Sequence, residues 1–171
     1  MYGADLLFGP EQMIRRFVKD SSFDQLICVA IAKHSDFKLE GIEDKRTLLH
    51  ARLIRDADKL DNCRVKLEES METLLDMDEK TVGASPISPK VWESCKAEES
   101  VLSADRKTGM DYWMSYLALY FDINFLETYQ IIKEQDYIRR IAERVPYSRE
   151  DTKEKVAYTV KKLEEKMNIQ P

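Results

Sequence analysis

The run Leu53-Ile54-Arg55-Asp56-Ala57-Asp58-Lys59-Leu60-Asp61 sets three carboxylates within six residues, inside a segment whose apolar positions Leu48, Leu49, Leu53, Ile54, Ala57 and Leu60 recur at helical spacing. At about 100° per residue from Ile54, Asp61 falls about 20° and Asp58 about 40° away, whereas Asp56 falls about 160° away. The spacing therefore predicts Asp58 and Asp61 on the buried stripe or its margin, with Asp56 turned from it. A buried ionised carboxylate is costly unless it is paired, hydrogen-bonded or bound to a metal, which makes Asp58 and Asp61 candidates for chemistry. The structural alternative is that they accept hydrogen bonds from helix ends or from Arg and Lys side chains.

His34 closes a preceding apolar helix, so its ring can face the same interior as Asp58. A His and an Asp converging from two helices form half of a divalent metal site, although a lone His near an apolar face also serves as a hydrogen-bonded core residue. His50 lies near the same direction as Asp58, but eight residues of helix separate them by about 12 Å, too far to share one ion. It is read as packing, or at most as support behind a site. Arg55, Lys59 and Arg64 can meet a substrate phosphate or form a solvated helix face. Arg106-Lys107-Thr108 heads another apolar helix, where Lys107 is a further candidate anion contact.

These residues need helices to position them. Tyr2 to Phe8 reads as the last turns of a helix stopped by Gly9, with Pro10 placed to open the next. A second helix runs from a Ser21-Ser22 cap through Leu26, Ile27, Ala30 and Ile31 to His34. After a polar loop, Asp44 can cap the long helix, which continues past Val65 and Leu67 toward Leu75. The stretch TVGASPISP, residues 81–89, breaks any helix and marks a boundary, giving domains 1–80 and 81–171. Beyond it come an apolar helix from about Thr108 to Tyr120, further helices over 125–145 divided near Gln135-Asp136, and a terminal helix from Ser148 to Met167. Ser148 and Asp151 resemble a capping box.

Of 171 residues, 43% are hydrophobic and 35% charged, with only 5 Gly and 5 Pro, which favours an all-α chain. The net charge of −5 supplies no basic surface for nucleic acid or anionic lipid. Cys28, Cys63 and Cys95 lack metal or redox spacing and read as reduced thiols. No apolar run approaches a membrane span and no leader pattern follows Met1, so the expected location is cytoplasmic, without membrane or nucleic-acid partners.

The string LIRDADKLDN, preceded by ICVAIAKH and a short polar loop, resembles the C-terminal portion of the HD superfamily of metal-dependent phosphohydrolases. The specific likeness covers about residues 1 to 67. It implies an HD-like helical bundle with an incomplete core and a C-terminal helical extension. In that family the second Asp of a D-A-D-x-L-D pattern binds the metal, which carries over to Asp58 as catalytic metal ligand. His34 carries over to an additional ligand of larger metal sites, and beside these stand Asp61, Arg55, Lys59 and Lys107, read from the residues themselves as supporting or phosphate-contacting candidates. The segment YGADLLF resembles the continuation of a family helix that normally begins with a histidine. The resemblance also implies a divalent metal (Mn, Mg, Fe or Zn), which lowers the pKa of bound water for attack on phosphorus. The family's His and His-Asp ligands lie upstream of the matching segment, and this sequence contains no His-Asp dipeptide.

Three readings follow. One is a truncated HD-type phosphohydrolase of a nucleotide or small phosphate ester with an incomplete metal site. Another is a non-catalytic helical module that binds a partner or forms a homo-oligomer through apolar faces around Leu6, Phe17 and Leu53. A third is a metal-free bundle with a pocket lined by the aromatic region Tyr112 to Phe125, where core packing is the competing use.

Overall fold

Hydrophobic periods of 3.6 residues run through the chain with few glycines to interrupt them, and the fold is correspondingly all-α. The computed structural model describes residues 2–169, and every regular element among them is helical. The helices are α1 (Tyr2–Phe8), α2 (Asp24–Lys33), α3 (Lys45–Glu68), α4 (Met71–Leu75), α5 (Glu79–Ala84), α6 (Pro89–Lys96), α7 (Gly109–Ala118), α8 (Leu126–Glu134), α9 (Tyr137–Glu143) and α10 (Glu150–Ile169). Short 3-10 turns lie at Met13–Arg16, Ser103–Asp105 and Leu119–Asp122. No described helix is long and apolar enough to cross a membrane.

The chain divides into two compact units, residues 1–58 and 59–171. In the first, α1 packs on α2. Pro10 lies in a turn that leads to the 3-10 segment, and the serines before α2 do not cap it. Phe23 occupies the N-cap without a side-chain bond, while Ser22 donates its N–H and hydroxyl to Asp20 at 2.9 and 2.7 Å. The buried apolar residues of this unit are Ala4, Ile14, Ala30 and Ala51. Its larger apolar side chains Leu6, Phe17, Phe23, Phe37, Leu49 and Leu53 are exposed.

The second unit holds a continuous core of large side chains, with Trp113, Met114, Leu117, Tyr120, Ile132, Ile141 and Leu163 wholly buried. Each contributes about 1.5–3 kcal/mol of burial. The aromatic region that could have lined a pocket is this core. Helix α3 ends at Glu68, because Ser70 accepts from the Thr73 N–H at 3.1 Å and starts α4 afresh. Within the supposed breaker, residues 81–84 are helical and only 85–88 interrupt the helices. Gly83 is required there for close approach, since a Cβ would sit 2.3 Å from the Pro146 carbonyl oxygen. Asp136, in the left-handed region at φ 49°, separates α8 from α9. Asp151 pairs with Arg149 and Lys155 at 3.1 and 3.4 Å.

Candidate functional site

Helix α3 carries the acidic motif, and its start is set by Asp44. The carboxylate accepts from the Thr47 N–H and hydroxyl, both at 2.7 Å, and these bonds hold its pKa below the ordinary value. From this start the helix runs 24 residues.

Along α3 the burial of several residues departs from the periodicity-based expectation, although Leu48, Ile54 and Leu60 of the expected stripe are half-buried. Asp56, expected to point away, is 1% exposed, whereas Asp58 and Asp61 are exposed. Leu49 and Leu53 also face outward, Leu53 at 54% exposure, while Arg55 and Lys59 are buried. The physical reason is the supply of hydrogen-bond partners. Arg55 Nη1 donates to the His34 carbonyl at 3.0 Å and to the Asp36 carbonyl, and Nη2 donates to Phe37 O at 3.5 Å. A guanidinium with a planar set of donors thus ties down the carbonyl end of α2, where unpaired C=O groups concentrate. Lys59 Nζ forms an ion pair with the Asp122 carboxylate at 2.8 Å and also donates to the Asp122 carbonyl. Buried charge with such partners is tolerated, and Leu49, Leu53 and Ala57 of the stripe face outward while Leu60 packs against the core.

The other candidate residues have identifiable settings. His34 is half-buried, and its Nδ1 lies 2.6 Å from the Ile31 carbonyl, a hydrogen bond in which Nδ1–H donates. Arg55 brings the His34 backbone against α3 three residues before Asp58. Asp61 accepts from Arg64 at 3.2 and 3.3 Å, and Arg64 also reaches Glu68 at 2.7 Å, all in solvent. Among the described residues no group of three or more His, Cys, Asp or Glu is placed to hold a metal ion.

At the head of α7 the predicted anion position is filled by the protein's own carboxylate. Asp111 is fully buried and accepts from Ser88 N (2.7 Å), Ser88 Oγ (2.6 Å), Lys107 N (2.9 Å) and Thr108 N (3.1 Å). Thr108 Oγ1 accepts from Asp111 N at 3.0 Å, and Ser85 Oγ from Met110 N at 2.8 Å, satisfying the first amides of the helix. The Lys107 side chain is exposed, and Arg106 stacks 4.8 Å from the centre of the Tyr112 ring. The Thr-x-x-Asp spacing of 108 and 111 was a visible capping-box signal for this node.

Burial raises the Cys63 thiol to about 11, despite a 3.2 Å hydrogen bond to Tyr120 Oη, and raises Cys95 likewise to about 11. Cys28 is only partly buried. No protein-family model, curated protein or solved structure matches the chain.

Proposed function

We propose that this chain is an HD-type helical module that works by association, with the outward apolar side chains of its N-terminal unit as the docking surface. One observation carries this reading. In residues 1–58 the buried apolar side chains are three alanines and Ile14, while two leucines on α3, Leu6 and three phenylalanines stand in solvent, Phe17 at 74%. That distribution is the opposite of a self-sufficient core, and exposed apolar groups of this kind favour a covering surface. Sedimentation of the whole chain and binding of an apolar fluorescent probe test it. A monomer that binds no probe would overturn the reading.

The phosphohydrolase reading places chemistry on the same unit. Asp58, the residue that the HD resemblance makes a metal ligand, is exposed on α3. A covering surface that brought the His and His-Asp ligands would make the assembly a divalent-metal phosphohydrolase of a nucleotide or small phosphate ester. For the chain alone, elemental analysis should find no stoichiometric metal, and assay on a chromogenic phosphate ester with manganese or magnesium should show no turnover. Turnover lost in Asp58→Ala would instead establish that the chain is active by itself.

A further inference from the structure

The second unit has a cleft of about 270 Å3 where α8 and α9 pack on α10. That volume lies at the lower end of small-molecule pockets, which run from about 300 to 1,000 Å3, so its occupant is a molecule of amino-acid size. The floor is apolar, formed by buried Ile132 and Ile138 of the core and by half-buried Met167. The rim is charged with both signs, Lys133 and Arg139 supplying cations and Asp136 and Glu164 carboxylates. Arg139 and Glu164 are already matched, Nε donating to Oε1 at 2.6 Å, and this pair closes one wall. Lys133 Nζ donates to Asn168 Oδ1 at 2.7 Å, a neutral partner that supplies no countercharge. Asp136 holds the N-cap position of α9, yet its side chain makes no capping hydrogen bond and its backbone is left-handed at φ 49° and ψ 35°. An N-cap aspartate ordinarily accepts from the first amides of its helix in extended backbone. A non-glycine residue kept in the left-handed region beside a cleft is the kind of local strain that accompanies a binding site. The hydrogen bond to Glu164, then the charges of Glu164 and Asp136, raise the Arg139 pKa, which sets the Asp136 carboxylate on the same rim.

We infer that this cleft binds a free α-amino acid with a large apolar side chain, of the size of leucine or phenylalanine. Its carboxylate pairs with Lys133, its ammonium with Asp136, and its side chain lies on Ile132, Ile138 and Met167. A ligand with one charge satisfies one side of the rim and meets a like charge on the other. A zwitterion without an apolar side chain leaves the floor in water. Association of the first unit is not needed for this binding.

Titration of the isotope-labelled full chain with L-leucine, followed by amide chemical shifts, should move resonances of residues 132–139 and 164–168 saturably, with a midpoint of about 1 mM. Glycine at the same concentrations should move none of them. Lys133→Gln and Asp136→Asn should each weaken leucine binding about fivefold or more. The rest of the spectrum should stay unchanged, because both side chains are exposed and asparagine tolerates left-handed backbone. The two variants should also change preference in opposite senses. Lys133→Gln should favour isopentylamine, which lacks the carboxylate, over isocaproate, which lacks the ammonium, and Asp136→Asn should do the reverse. A merely structural role for either residue would not invert the preference. The inference is overturned if leucine and phenylalanine up to about 20 mM cause no saturable shifts in the cleft, a ceiling far above the expected midpoint. It is equally overturned if glycine binds as well as leucine, if both variants bind leucine as the wild type does, or if the preference does not invert.

Discussion

Arg55, Asp111 and the two buried cysteines show how single side chains hold this fold. Arg55→Ala removes the donor shared by the carbonyls of residues 34 and 36 and should destabilise the chain by about 2 kcal/mol in urea denaturation. Arg55→Lys should restore little of this, because an ammonium lacks the planar fork. Asp111→Ala strands four donors in the interior and should cost about 3 kcal/mol or more, also read in urea. Burial keeps the Cys63 and Cys95 thiols protonated, so their contribution to stability is intact below the ordinary value of 9.0 and is lost as pH rises toward about 11. A thiol reagent at pH 8 should modify Cys28 in the native chain and reach Cys63 and Cys95 only after denaturant is added.

At the scale of the element, α3 and α5 carry the main departures from the periodicity-based expectation. Both the apolar stripe of α3 and its capping Asp44 were legible, because capping and 3.6-residue repeats are local. Its orientation was not, because Arg55 and Lys59 become acceptable inward residues only when carbonyls 34–37 and Asp122 arrive from elsewhere. In α5, a glycine that reads locally as a breaker instead marks where the Pro146 carbonyl closes on the helix. Gly83→Ala should therefore destabilise by more than about 2 kcal/mol, against the usual gain from replacing a helical glycine, as thermal unfolding will measure.

Across the whole molecule, the largest fully buried side chains among the described residues lie between Met71 and Leu163, within the second unit. In the first unit the buried apolar side chains are Ala4, Ile14, Ala30 and Ala51, joined by polar ties such as Arg15–Asp24 and Arg55 to the carbonyls that follow α2. Hydrogen exchange should accordingly show amides of α7 and the middle of α10 opening only with global unfolding, and those of α1 and α2 opening at a much lower free energy. Raising the protein concentration should slow exchange in the exposed first unit if association covers it, since binding to the folded state stabilises what it covers.

Composition and local pattern by themselves determined that this chain is helical, where Asp44 starts α3, and where α8 gives way to α9. The HD resemblance, rather than composition or local pattern, pointed to apolar faces around Leu6, Phe17 and Leu53, and these three side chains are exposed. Tertiary structure alone decided that Asp56 is buried and Asp58 exposed, and that Asp111 fills the head of α7. The reason is physical. A periodic stripe specifies that a helix has two kinds of face, while burial follows the face whose polar atoms find partners, and those partners lie far away in sequence.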